Sequence, residues 1–202
     1  MFKAVIFDLD GTILDSIPLR VRSWQQAFDD YNISADPEII RLMIGYPGSM
    51  LIKKVNAMNP EIEFREEYYF KMHLDELRFF PDVDDTFKEL RKLGVKIAVV
   101  TSSRKDFVMR LNIKADAIVT IDDVKNGKPD TEPYIKAMSM MNVKPDETVV
   151  VGDIDNDLIP SRELGCLSVL VRHNRNVSSD HADIIIEEIK EVLNIFNDKK
   201  DL

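Results

Sequence analysis

Residues Val5, Ile6 and Phe7 form an unbroken run of β-branched and aromatic side chains that stops abruptly at Asp8-Leu9-Asp10-Gly11-Thr12. A short apolar run bounded in this way reads as a strand covered on both faces of a parallel sheet. Asp8 then falls at the strand's carboxyl end. If the extended backbone continues to Asp10, side chains at i and i+2 share a face, so Asp8 and Asp10 point into one space. Two carboxylates that close raise each other's pKa unless a cation or donors intervene. The pair therefore suggests a divalent metal, acid-base work, or both. Asp10-Gly11 between apolar stretches is also a hairpin signal, and the rest of the chain has to decide between these readings.

The 202 residues suffice for one large domain or two small ones, and 45% hydrophobic with 31% charged residues describe an ordinary globular protein. A net charge of -9 with no basic run argues against nucleic acid as a partner and against an anionic membrane surface. There is no membrane-spanning apolar stretch and no signal-peptide pattern before the first strand, so a cytoplasmic location is expected. The single cysteine, Cys166, excludes an internal disulfide and reads as a packing residue.

After the first strand the pattern is helical as far as Phe80. Apolar residues recur at three- and four-residue spacing through Leu19, Trp24, Ala27, Phe28 and Tyr31. Asp36-Pro37 reads as an N-cap followed by proline at the first helical position. Gly45-Tyr46-Pro47-Gly48 breaks that helix, and further helices are expected over 49–58 and 64–77. From Pro81 helix and strand alternate, which predicts a right-handed parallel α/β sheet. Helices are expected over 84–93, 106–111, 131–141 and 158–164, and strands over 95–100, 117–121, 149–151, 168–171 and 184–186. A last helix over 188–196 and a frayed charged tail over 197–202 complete the chain. The expected architecture is a Rossmann-like parallel α/β sheet flanked by helices, formed by residues 1–14 and 81–202, with an inserted helical subdomain at 15–80.

Ligands of open α/β sheets bind outside the carboxyl ends of the strands. Asp8, Asp10, Thr101 and Asp153 all fall there, and the loop Gly127-Lys128-Pro129 can bring an ammonium to the acids. Each residue also has a plainer reading. Asp153 and Asp157 would serve as helix caps, as would Thr101 and Ser102, and Lys128 would serve as an ordinary turn residue. His73, His173 and His181 read as surface or packing residues, because no partners stand at zinc-ligand spacing.

Taken together these residues resemble the haloacid dehalogenase superfamily, over nearly the whole chain. Asp8-Leu9-Asp10-Gly11-Thr12 matches the first motif, Thr101 the second, Lys128 the third, and Gly152-Asp153 with Asp157 the fourth. The resemblance implies that the helical insert is a mobile cap of the small α-helical type. It implies Asp8 as a nucleophile that forms an aspartyl-phosphate, and Asp10 as the general acid and base. Thr101, through its hydroxyl and its backbone N–H, would bind phosphoryl oxygens with Ser102 and Lys128. Mg²⁺ would be held by Asp8, Asp153 and the backbone carbonyl of Asp10. Asp157 would support the site through a water on the metal or by orienting Lys128.

The second acid of the first motif separates this chain from the true dehalogenases and favours phosphoryl transfer. The resemblance is nearest to phosphatases of phosphoglycolate, small metabolites or pyrophosphate. It implies a small phosphorylated substrate, phosphoglycolate-like or a sugar phosphate, and a monomer or weak dimer. A phosphosugar mutase of the β-phosphoglucomutase kind is the alternative. A non-catalytic phosphate- or partner-binding protein is the weaker one, because Asp8, Asp10, Lys128 and Asp153 are all present. Substrate choice is expected from residues 44–49, with Tyr46 at their centre; Arg20 and Trp24 are further candidates, although Trp24 at helical spacing with Ala27 and Phe28 fits a core position. Two departures from the family pattern stand out. Pro81-Asp82-Val83 replaces Pro-Gly-Val after the insert, and the stretch from Thr101 to Ile118 is short, predicting a trimmed helix.

Overall fold

The computed structural model describes residues 1–197, so most of the expected tail lies outside the described residues. Two compact units are formed, one by Met1–Ile13 with Phe80–Leu202 and the other by Leu14–Phe79.

The first unit is built on a parallel six-stranded sheet: β1 (Ala4–Phe7), β2 (Lys96–Val100), β3 (Ala117–Val119), β4 (Thr148–Gly152), β5 (Leu167–Val171) and β6 (Ile184–Ile186). Their spatial order is β3-β2-β1-β4-β5-β6, so β1 lies between strands that follow it much later in the chain. Phe7 is in register with Val99 on one side and Val151 on the other, which brings the carboxyl ends of β1, β2 and β4 to one level. Central strands pack on both faces, and every residue of β1 and β4 is buried. Burying each such Val, Ile or Phe side chain stabilises the fold by about 1.5–3 kcal/mol.

The crossover from β3 to β4 runs through the helix Glu132–Met141, whose Tyr134, Ala137, Met138 and Met141 pack on Ile6, Val100 and Val150. Cys166 joins this cluster, 4.0 Å from the Met138 sulfur, where burial pushes its thiol up to about 12. It is a packing residue. Met140 turns outward instead.

The second unit contains α1 (Ile17–Asp29), α2 (Pro37–Met43), α3 (Gly48–Lys54) and α4 (Glu61–Met72), with no sheet. Asp36 caps α2 by accepting the Glu38 N–H at 2.9 Å, and Pro37 takes the first helical position. Trp24 is 5% exposed and packs beside Phe28 among Ile40, Leu51 and Ile62, so it is a core residue. Arg20 pairs with the buried Glu66 at 3.1 Å and lies over the Phe70 ring.

The remaining helices belong to the sheet unit: α5 (Val83–Lys92), α6 (Lys105–Val108), α7 (Glu132–Met141), α8 (Asp155–Leu164) and α9 (Leu193–Asn197). Gly94 ends α5 at φ 74°, a conformation that glycine adopts without strain. Asp82, where the resemblance leads to an expectation of glycine, sits at φ −90°. Any residue tolerates that value, so the substitution costs no backbone strain.

Several boundaries differ from the sequence reading. The helix expected over 49–58 ends at Lys54, because Asn56 adopts a left-handed φ of 57°. Strand β3 stops at Val119: the Thr120 hydroxyl and N–H donate to Asp123, folding Ile121–Asp123 into a 3-10 turn. The short helix expected over 106–111 is present as one α-helical turn, Lys105–Val108, continued by a 3-10 turn, Met109–Leu111. Helix α8 begins three residues before Leu158, at Asp155. Among the described residues no helix is long and apolar enough to cross a membrane.

Candidate active site

Asp8 leaves the end of β1 with its N–H donating to Val151 O at 2.9 Å, so its backbone is still tied to β4. The chain then turns: Thr12 and Ile13 N–H both donate to Leu9 O, and Gly11 takes φ 82°. The turn is not a hairpin, since both neighbours of β1 run parallel to it. That removes the plainer reading of Asp10-Gly11.

Asp8 is nearly buried, and Lys128 Nζ stands 2.6 Å from its Oδ1. The same ammonium lies 2.6 Å from Asp157 Oδ1, which also accepts the Tyr134 hydroxyl at 3.0 Å. The Lys128 loop is clamped by Glu132, whose two carboxylate oxygens accept the N–H groups of Lys125 and Asn126 at 2.9 Å. Gly152 makes the approach of Asp157 possible, because a Cβ there would stand 2.3 Å from Asp157 Cβ.

Asp153 follows β4 and is 5% exposed. Its Oδ1 accepts the Thr12 hydroxyl at 3.4 Å, and its Oδ2 accepts Arg175 Nη1 at 2.8 Å. Arg175 Nη2 also donates to Gly11 O at 2.9 Å, so one guanidinium ties the turn after β1 to the turn after β4. Beside it His173 stacks on Phe80 with ring centres 3.5 Å apart and Nε2 2.8 Å from Thr12 O. That is the packing role expected of a histidine outside the motifs.

Burial raises the carboxyl of Asp8 to about 7, helped by the negative charge of Asp157 and opposed by Lys128. Burial raises Asp153 to about 6, with the charge of Asp8 adding to it and Arg175 opposing it. Asp157 is raised too, chiefly by burial. For Lys128 burial works against the charge, yet Asp157 and Asp8 outweigh it and hold the ammonium protonated.

Asp8, Asp153 and Asp157 each offer a carboxylate oxygen, all within 4.8 Å of one another. Buried hard oxygen donors whose charges are incompletely compensated suit a divalent cation such as Mg²⁺. The Asp10 side chain is not part of this cluster; its Oδ2 accepts the hydroxyl of Ser103 at 2.7 Å.

The second motif is arranged differently from the sequence reading. Thr101 is buried, but its N–H donates to Val119 O at 2.9 Å and is engaged within the sheet. Of the two Thr101 donors expected to face a phosphoryl group, the hydroxyl remains. Ser102 is exposed, and it is Ser103 that turns inward. Tyr46 lies in the helical unit, half-buried in the turn between α2 and α3.

Ser103, Tyr134 and Arg175 were not found by sequence reasoning. Ser103 carried a usable signal, since it stands two residues beyond Thr101 and the two share a face of extended chain. Tyr134 reads as one apolar position on a helix, and Arg175 sits in a loop without periodicity.

The haloacid dehalogenase-like hydrolase family matches residues 5–171. A relative named pyrophosphatase PpaX, from Oceanobacillus iheyensis, is 28% identical over 97% of each chain. The solved structure of a predicted phosphoglycolate phosphatase from Haemophilus somnus superposes with a TM-score of 0.79 at 23% identity, covering 96% of this chain and 97% of that one. A β-phosphoglucomutase from Clostridium difficile gives a TM-score of 0.82 at 19% identity and 98% coverage of both chains. With its family match spanning most of the sequence, this chain belongs to the haloacid dehalogenase-like hydrolases.

Proposed function

We propose that this protein is a Mg²⁺-dependent phosphatase that hydrolyses a small phosphorylated compound through an aspartyl-phosphate on Asp8. The observation that carries the reading is the buried Asp8 carboxylate at the end of β1, 2.6 Å from Lys128 Nζ. In the first half-reaction an Asp8 oxygen attacks phosphorus, the bond from phosphorus to the leaving oxygen breaks, and Asp10 gives that oxygen a proton. In the second, Asp10 takes a proton from water, the water oxygen attacks phosphorus, and the bond to Asp8 breaks. Asp8 and inorganic phosphate are released.

Lys128 offsets charge on Asp8 and on the phosphoryl oxygens, while Asp157 and Tyr134 hold its ammonium in place. The Thr101 hydroxyl supplies a further donor to the phosphoryl group. Asp8 and Asp153 are the carboxylates that would hold Mg²⁺, with the Asp10 backbone carbonyl, and Asp157 acts chiefly through Lys128. Bound there, the cation would neutralise phosphoryl charge and keep Asp8 ionised.

The full-length likeness to a pyrophosphatase supports inorganic pyrophosphate as the first substrate to test, ahead of phosphoglycolate and sugar phosphates. The helical unit would select among these through residues 44–49, with Tyr46 at their centre. The enzyme would work as a monomer or weak dimer in the cytoplasm, without nucleic-acid or membrane partners. Likeness to a β-phosphoglucomutase at 19% identity reflects the shared fold and gives the mutase reading no separate support.

The test is phosphate release from pyrophosphate, phosphoglycolate, sugar phosphates, nucleoside monophosphates and p-nitrophenyl phosphate, with and without Mg²⁺, beside Asp8→Asn. Mg²⁺-dependent release that Asp8→Asn abolishes is the expected result. Asp8→Asn with full activity would overturn the nucleophile, and no release from any compound would overturn the phosphatase.

A further inference from the structure

We infer that Arg175 is a positioning residue of the cation site, whose guanidinium sets the Asp153 carboxylate and the turn after β1 at a fixed separation. The inference rests on the Mg²⁺ reading above.

Each nitrogen of the Arg175 guanidinium meets its own acceptor. Nη1 donates to Asp153 Oδ2 at 2.8 Å, Nη2 to Gly11 O at 2.9 Å, and Nε to Arg172 O at 2.9 Å. A planar guanidinium holds its donors in a rigid fork, so the spacing of the acceptors is held with it. Two of those acceptors come from different strand ends. Asp153 follows β4, and Gly11 follows Asp10, whose carbonyl is the backbone ligand in the reading above.

The loop that carries Arg175 is itself fixed. Its N–H also donates to Arg172 O at 2.9 Å, closing a turn whose central residues, His173 and Asn174, take left-handed φ values of 48° and 60°. Such values persist in non-glycine residues where the surroundings over-determine them. Here the Phe80 ring and Thr12 O hold His173, Arg175 O accepts the Val177 N–H at 3.0 Å, and Arg172 Nε donates to Val177 O at 2.8 Å. The guanidinium is therefore aimed by its own loop.

Charge and geometry act in opposite directions at this place. A guanidinium beside the site repels Mg²⁺, so its charge alone would weaken binding. Its geometry strengthens binding. With Nη1 on Oδ2, the Asp153 carboxylate keeps one orientation, and its Oδ1, which accepts the Thr12 hydroxyl at 3.4 Å, is the oxygen left to a cation. Asp8, Asp153 and Asp157 offer oxygens within 4.8 Å of one another, and their repulsion would otherwise spread them when no ion is bound. Lys128 restrains Asp8 and Asp157, and Arg175 restrains Asp153. Groups that orient a ligand in this way contribute about 10- to 100-fold to metal affinity, more than the repulsion of a guanidinium whose charge Asp153 already offsets.

The test titrates MgCl₂ into metal-stripped, full-length protein by calorimetry, without substrate, and compares wild type with Arg175→Gln and Arg175→Lys. Arg175→Gln is expected to weaken Mg²⁺ binding by about 10- to 100-fold. Arg175→Lys keeps the charge, but a point donor on a flexible stem does not bridge both acceptors, and binding should weaken by about fivefold or more. The Mg²⁺ concentration for half-maximal phosphate release should rise in the same order. Urea unfolding without metal separates a merely structural role, which would lower the midpoint and leave the Mg²⁺ affinity of the folded variants unchanged. If Arg175→Gln does not fold, Arg175→Lys carries the comparison.

Arg175→Gln that binds Mg²⁺ as tightly as wild type, or more tightly, overturns this inference, as does Arg175→Lys that matches wild type. A wild type that binds Mg²⁺ yet releases phosphate from no compound overturns the phosphatase alone, and the variants' affinities still decide the role of Arg175. A wild type that binds no Mg²⁺ overturns the Mg²⁺ reading and this inference with it.

Discussion

Lys128 Nζ stands 2.6 Å from Asp8 Oδ1 and 2.6 Å from Asp157 Oδ1, so one ammonium joins the end of β1 to the first turn of α8. Removing it leaves two buried carboxylates facing each other. Lys128→Met is expected to lower stability by about 3–5 kcal/mol in urea titrations, besides abolishing activity. Adding Asp157→Asn removes one of the stranded charges and should recover part of the stability. A double variant less stable than Lys128→Met would contradict this account.

The raised carboxyls give a pH dependence of definite sign. Asp8 at about 7 and Asp153 at about 6 bind protons more tightly folded than unfolded, where both stand near 3.8. The stability they contribute is complete below the unfolded value and is lost as pH rises from about 4 to about 7. The metal-free protein, held in a chelator, should therefore lose stability from these groups across that window. Excess Mg²⁺ should raise the urea midpoint more above the window than below it, because the proposed site would hold the cation through ionised carboxylates. Equal stabilisation by Mg²⁺ on both sides of the window would count against Asp8 and Asp153 as ligands.

Gly152→Ala places a Cβ 2.3 Å from Asp157 Cβ and 2.6 Å from its Oδ2, and forces Asp157 away from Lys128. Overpacking of this kind costs about 1–3 kcal/mol. The displaced ammonium should lower kcat on the order of a hundredfold. A variant that keeps wild-type kcat would show that the Asp157–Lys128 contact does not aim the ammonium.

Tyr46 tests the proposed selectivity segment. Tyr46→Ala should change the ratio of kcat/KM between pyrophosphate and phosphoglycolate by about tenfold or more, while leaving stability nearly unaltered. An unchanged substrate profile would remove residues 44–49 from the account of selectivity.

Strands were the most legible part of the sequence, because β-branched runs such as Val149-Val150-Val151 admit little else. Helix limits were harder. The start of α8 was hidden by Asp155-Asn156-Asp157, polar residues that add nothing to an apolar period yet form its first turn. Thr120 and Asp123 ended β3 through side-chain hydrogen bonds that outcompete the ladder, a choice apolar periodicity does not register. Asp8, Lys128, Asp153 and Asp157 were legible because each stands at the end of a strand, at the start of a helix, or in the loop between. Arg175 was not: its bond to Gly11 O spans 164 residues and exists only once β5 lies beside β4. Ser103, whose hydroxyl reaches Asp10 across 93 residues, is marked in the sequence only by standing two positions beyond Thr101.

The strand order also fixes when the surroundings of Asp8 can assemble. Ala4 pairs with Lys96 on one side and Thr148 on the other, while the helical unit of residues 14–79 is one contiguous stretch. During synthesis the apolar run of β1 emerges first and stays without a strand partner until β2 appears. Its second partner comes only when most of the chain has been translated. A ribosome-bound or prematurely terminated chain that stops between β2 and β4 therefore has the helical unit's full sequence but no Asp153, no Asp157 and only one of the two neighbours of β1. Fragments that end between β2 and β4 are left with one edge of β1 unpaired, an aggregation-prone edge, and with Asp8 lacking the carboxylates that surround it in the complete fold.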